Sequence, residues 1–226
     1  MKITVGHASL PRVGFTANGD AVFVRNDGSR LLLVVIDALG HGPAAASVAA
    51  TALGVLGEIP HSSSLHDVVE RVHAHLRGGR GAAALFLLVS AATASPAAVS
   101  PGIFGALASA GGAGGAHGGA TAGQTPVEVA SYEVCSVGNV EARARPSKLP
   151  LLLTPGVLGL RLRAPRIVRG TFTVTTRVVI FTDGISGRID VPSVDGIAPE
   201  AASSSLLQHH RREHDDATVA IADIEL

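Results

Sequence analysis

The stretch Leu31-Leu32-Leu33-Val34-Val35-Ile36-Asp37-Ala38-Leu39-Gly40-His41-Gly42-Pro43 decides the fold. Six apolar residues of strand length run into a carboxylate, glycines follow, and Pro43 stands where a helix can start. The next segment, Ala44–Leu56, is rich in alanine and reads as that helix. Upstream, Ala21–Arg25 is a second apolar run, joined to Leu31–Ile36 by the turn sequence Asn26-Asp27-Gly28-Ser29. The two runs form a β-hairpin.

Working outward, Ser64 with Asp67 three residues on reads as a helix cap, and Leu65, Val68, Val69, Val72 and Leu76 recur at helical spacing before Gly78-Gly79. His66, His73 and His75 fall off that stripe and are expected at the surface. Ala82–Val89, Val127–Val137, Val140–Arg145, Arg166–Val174, Arg177–Thr182 and Thr218–Ile224 read as strands, and Pro199–Arg212 as a further helix. Strands come in blocks with helices between them, which argues for an α+β fold with antiparallel sheets rather than a doubly wound one. Residues 91–123 stand apart: 24 of these 33 positions are Ala, Gly or Ser and none is charged. Such a composition has too little large apolar surface to offset the entropy of ordering, so 91–123 is expected to be a flexible insertion between two strands.

At 226 residues and 46% hydrophobic content the chain has ample material for a core and is read as one domain. Lys and Arg together number 18 and so do Asp and Glu. That balance provides no global field for nucleic acid or anionic lipid. Cys135 is the single cysteine, which excludes an internal disulfide framework or a Cys-rich zinc finger. No leader of signal-peptide length and no convincing membrane-spanning segment is visible; with its single cysteine the chain is expected to be cytoplasmic, and it is expected to be a monomer.

The chemistry lies at the strand ends. Val178-Val179-Ile180-Phe181-Thr182 runs into Asp183, as Leu31–Ile36 runs into Asp37, and Asp215-Asp216 precedes the last strand. A carboxylate beside a buried strand end is expensive without a partner, and the lysines are two, Lys2 and Lys148. Each aspartate alone suits a turn or a cap. Together they suit a hard divalent cation.

The ordered set Gly19-Asp20, the hexapeptide 37–42, Ser136-Val137-Gly138-Asn139-Val140-Glu141, Thr182-Asp183-Gly184-Ile185 and Asp215-Asp216-Ala217-Thr218 resembles the metal-dependent PPM serine/threonine phosphatases, in particular the SpoIIE-type branch and its RsbX-like members. The likeness spans nearly the whole chain outside 91–123. It implies an αββα four-layer sandwich of two antiparallel sheets flanked by helices, with metals at one end between the sheets. The 17-residue step from Asp20 to Asp37 suits a hairpin that returns two carboxylates to one end of a sheet.

The resemblance implies that Asp37 bridges two manganese or magnesium ions, with the backbone carbonyl of Ala38 a further ligand and Asp183 and Asp215 completing the set. Asp20 matches an early acidic position beside the metals that acts through water; Asp216 is held in reserve. Many relatives carry glycine at the position of Ala38, and a methyl group there narrows the backbone angles. A two-metal site needs no protein nucleophile, and the chain has no G-x-S-x-G elbow and no H-E-x-x-H. His41 is a candidate acid for the leaving oxygen, against a structural role where the helix begins. Arg80 is a candidate contact for substrate phosphate, against a solvated turn arginine.

His210 and His214, four apart on the expected last helix, invite a transition-metal site but lack further ligands at suitable spacing. The glycines at 40 and 42 lack the G-K-[ST] ending of a nucleotide loop. Cys135 reads as a small core residue. With Asp20 almost at the start, the chain looks like a free-standing catalytic domain. By resemblance its partner is a phosphorylated regulatory protein, such as a STAS-type anti-anti-sigma factor. A phosphoprotein-binding module with a degenerate metal centre is the competing reading.

Overall fold

The computed structural model describes residues 1–94 and 127–226. Among these residues ten strands and three α-helices follow one another as β1 (Lys2–Leu10), β2 (Asp20–Asn26), β3 (Arg30–Ala38), α1 (Pro43–Glu58), α2 (Leu65–His75), β4 (Ala82–Ala94), β5 (Val127–Val137), β6 (Glu141–Arg145), β7 (Leu153–Thr154), β8 (Val168–Phe172), β9 (Thr176–Phe181), α3 (Pro199–His210) and β10 (Ala217–Glu225). One sheet has the order β1-β10-β9-β6; the other runs β2-β3-β4-β5-β7, with β8 also paired to β5. All pairs are antiparallel except the short β5–β7 contact, which is parallel.

The layers follow from two-residue periodicity. In β3, Leu32, Val34, Ile36 and Ala38 pack under α1 and α2. Leu31, Leu33 and Val35 pack instead between the sheets. The second sheet repeats this: Val178 and Ile180 of β9 face inward, while Val179 and Phe181 face α3. Both faces of each sheet are covered, so these strands read as continuous apolar runs. The result is the expected αββα sandwich.

The hairpin, α1, the capped α2 and strands β5, β6, β8, β9 and β10 appear close to their expected bounds, while the two-residue β7 has no counterpart among the expected strands. Asp27 closes the β2–β3 turn, its Oδ1 accepting from the Ser29 and Arg30 amides at 3.0 and 2.7 Å. Ser64 caps α2, accepting from the Asp67 amide at 3.2 Å. At the other end of α1 the Arg25 guanidinium donates to the carbonyls of Leu56, Gly57 and Ile59, meeting the free acceptors and the negative end of the helix dipole together.

Four expectations are corrected. Residues 91–94 belong to β4, in register with 127–130 of β5; cross-strand pairing orders small residues that composition alone assigns to a loose insertion. The rest of that expected insertion, 95–123, lies outside the described residues. Strand β1 has no counterpart among the expected strands, because the segment's polar residues break the apolar run; pairing with β10 along its whole length makes it a strand. His73 is buried, not surface-exposed: its Nδ1 accepts the Gly159 amide at 3.0 Å from a loop that folds back over α2, a tertiary contact no helical spacing reveals. Finally, α3 ends at His210, with Arg211 already extended, so His210 and His214 share no helix face.

Candidate metal centre

Strand parity explains why the carboxylates meet. Asp20 and Asp37 are directly opposite in the β2–β3 ladder, and their neighbours of like parity, Val22 and Val35, face the other sheet. Both acids therefore open into the space between the sheets, at one end. Thr182 and Thr218 share parity with Ile180 and Ala220, which also face inward, and they close the gap from the opposite sheet. The Thr182 hydroxyl donates to Asp20 Oδ2 at 2.7 Å and accepts the Thr218 amide at 3.0 Å. This chain of bonds ties the two sheets together at the acidic end.

Asp183 follows Thr182 and is held by Asn139, whose amide nitrogen donates to Asp183 Oδ2 at 2.6 Å. Arg212 Nη1 donates to the Asp183 carbonyl at 3.0 Å. Asp215 accepts the amide of Asp216 at 2.9 Å and is half-buried. Asp216 is 3% exposed and serves differently, its two oxygens taking the Arg12 and Gly19 amides at 2.7 and 2.8 Å. It is a strut that fixes the β1–β2 connection beside Asp20. Gly19 permits that close approach, since a Cβ there would lie 2.7 Å from Ala45 Cβ.

The electrostatics are those of like charges drawn together. Burial, aided by the charges of Asp216 and Asp183, raises the pKa of Asp20 to about 7 despite the hydroxyl bond from Thr182. Burial, then repulsion from Asp20, Asp183, Asp215 and Asp216, raises Asp37 to about 8. Asp183 is also raised, by burial and by Asp215, against the opposing charges of Arg212 and His214 and the bond from Asn139. Among the described residues no lysine or arginine forms an ion pair with Asp20, Asp37, Asp183 or Asp215. An anionic cluster of hard oxygen donors with no salt-bridged cation fits divalent cations of the magnesium or manganese type. Among the described residues, no group of three or more Asp, Glu, His or Cys side chains is drawn close enough in this structure to hold a metal ion by itself.

A carboxylate whose pKa is raised on folding stabilises the fold below its unfolded value and loses that contribution as pH rises through the folded value. The metal-free protein should thus lose stability, on the order of a few kcal/mol, between about pH 4 and about pH 8. Thermal melts in chelator across this range check it: a melting temperature that falls with rising pH, and is restored by manganese, is expected.

The remaining candidates lie around the rim. Ala38 is 1% exposed, with its methyl in the core beneath α1. Its amide donates to the Gly19 carbonyl at 3.1 Å, so the strand accommodates the methyl group. His41 is exposed, its ring 4.7 Å from that of Phe15, which Arg12 covers at 5.5 Å. Arg80 is exposed, and its Nη1 lies 2.8 Å from where a Cβ on Gly40 would stand. It belongs to the neighbourhood of the 37–42 loop. Sequence reading missed the positioning roles of Thr182, Thr218 and Asn139 and the presence of Arg12 and Arg212. The two threonines carried a signal: hydroxyls of inward parity at the ends of apolar strands.

This two-sheet sandwich with an acidic rim is the fold of the PPM-type phosphatases, in the form found in the SpoIIE/RsbX branch. A chain described with the bacterial stressosome, a modular system adapted to control secondary messenger signalling, superposes with a TM-score of 0.75 at 23% identity, over 98% of this chain and 100% of that one. RsbX in complex with magnesium gives 0.70 at 22% identity, over 98% of this chain and 94% of that one. The catalytic domain of the serine/threonine phosphatase PstP with 2 manganese ions gives 0.60 at 12%, over 99% of each. At these identities the likeness is one of fold. No family model and no curated protein matches the chain. No helix among the described residues is long and apolar enough to cross a membrane.

Proposed function

We propose that the chain is a metal-dependent protein serine/threonine phosphatase that hydrolyses phosphoserine or phosphothreonine on a regulatory protein. The observation that carries this is the opposed pair Asp20–Asp37, joined across the sheets through Thr182 and short of cationic partners. Asp37, Asp183, Asp215 and the Ala38 carbonyl, with Asp20 through water, would hold two manganese or magnesium ions. Such ions, when bound, supply a hydroxide at neutral pH and charge stabilisation for phosphoryl oxygens. The chain's own residues orient and protect. Asn139 aims the Asp183 carboxylate, Thr182 turns Asp20, and Asp216 anchors Gly19 behind it. Arg80, beside the 37–42 loop, and Arg212, bonded to the Asp183 carbonyl, are the candidates to meet substrate phosphate, and His41, exposed beside Phe15, is the candidate proton donor to the leaving serine or threonine oxygen.

RsbX and the stressosome chain among the structural neighbours support a phosphorylated regulatory partner, of which a STAS-type protein is the reading we favour. A phosphoprotein-binding module with a degenerate metal centre is the second reading, favoured by the finding that among the described residues no three Asp, Glu, His or Cys side chains are placed to hold a metal ion. Phosphate release from p-nitrophenyl phosphate separates them. Manganese-dependent turnover that chelator abolishes and Asp183→Asn removes is expected; no metal-dependent turnover in the wild type would favour the binding module.

A further inference from the structure

Beside the acidic rim lies a cavity of about 400 Å³ lined by Leu39, Ala83, Asn139, Leu153, Pro155 and Val157, among others. Two features connect it to the reaction. Asn139 belongs to both: it lines the cavity and holds Asp183. Leu39, two residues beyond Asp37, forms its edge, with its amide bonded to the Gly81 carbonyl at 3.0 Å. The lining carries no charged side chain, in contrast to the rim it adjoins. Leu39 is 41% exposed and Leu153 52%, so with Pro155 and Val157 the cavity presents an apolar lining to solvent.

Resting on the phosphatase reading, we infer that this cavity is a specificity subsite. It receives an apolar side chain that flanks the phosphoserine or phosphothreonine, within three residues of it on an extended substrate segment. The continuity through Asn139 places the occupant on the substrate itself. The lining sets its chemistry: an uncharged wall excludes a lysine or arginine by desolvation, and it excludes an aspartate or glutamate in the same way. Leucine, isoleucine, valine or methionine fits on both counts. Recognition then extends from the phosphate to the sequence around it.

Phosphoserine heptapeptides of small residues, with one leucine moved through the three positions on either side, test this against the same peptides carrying aspartate in its place. At one position or more, leucine should raise kcat/KM about tenfold over aspartate. Leu153→Lys should abolish or invert that preference while p-nitrophenyl phosphate turnover stays within about twofold, since the small substrate does not reach the cavity. Equal kcat/KM for leucine and aspartate at every position, or an unchanged preference in Leu153→Lys, overturns the subsite. If neither peptide nor p-nitrophenyl phosphate is hydrolysed, the phosphatase reading fails instead. Fluorescence anisotropy of the same labelled peptides then tests the cavity directly. Tighter binding of the leucine peptide that is lost in Leu153→Lys supports it, and equal binding overturns it.

Discussion

Under the proposed function, Asp37→Asn should lower manganese-dependent turnover of p-nitrophenyl phosphate by about a thousandfold or more, because a carboxylate proposed to hold the ions loses its charge. The side chain keeps its volume, so the fold has no reason to fail. What changes is charge: Asp37 stands opposite Asp20, feels the repulsion of four other aspartates and has its pKa raised to about 8. Removing that charge relieves the repulsion. The metal-free variant should therefore melt at the same temperature as the wild type, or higher, at about pH 8, even as activity collapses. Activity within about tenfold of wild type would remove Asp37 from the centre of the reaction. A marked loss of metal-free stability would contradict the electrostatic account of the rim.

Gly184→Ala should have a large effect on stability. A Cβ at Gly184 would lie 1.8 Å from the Asp216 carbonyl oxygen, 2.7 Å from its carbon and 3.0 Å from Ala217 Cα. All three are backbone atoms, so no side chain can swing aside; the β9–β10 junction has to part. That junction carries the Thr182 amide bond to the Thr218 carbonyl at 3.1 Å and the Arg212 amide bond to the Gly184 carbonyl at 2.7 Å. A loss of about 3 kcal/mol or more is expected, lowering the melting temperature by about 6–12 °C for a chain of this size. Gly54→Ala is the control. It is exposed on α1, nothing among the described residues lies within 4 Å of its would-be Cβ, and it should be neutral or stabilising by about 0.5–1 kcal/mol. Equal melting temperatures for the two variants would contradict the packing described at Gly184.

The centre of each sheet is legible in the sequence because its strands are buried on both faces. Leu31–Ile36 and Arg177–Thr182 are long apolar runs ending in aspartate, and little else than a central strand satisfies them. Edge and terminal elements are harder: β1 alternates with polar residues, and β7 is two residues long. The acidic positions are visible one by one, and their order carries the family likeness. Their electrostatic environment is not, because it depends on Asp20 and Asp37 facing each other across a hairpin and on Thr182 reaching Asp20 from the other sheet. Asp216 shows the limit of reading acids by position. In sequence it is the twin of Asp215, yet its oxygens are committed to the Arg12 and Gly19 amides. His73 shows the same limit for helical spacing, since the loop that buries it is 86 residues away in the chain.

Calorimetric titration of manganese into the metal-free protein at about pH 7.5, repeated in buffers of different ionisation enthalpy, measures the convergence of these aspartates directly. The wild type should bind ions and release protons on binding, as cations displace the protons that burial holds on Asp20 and Asp37. Asp37→Asn should bind far more weakly. No binding by the wild type up to about millimolar manganese, or equal binding by wild type and Asp37→Asn, would contradict a metal centre built on this rim.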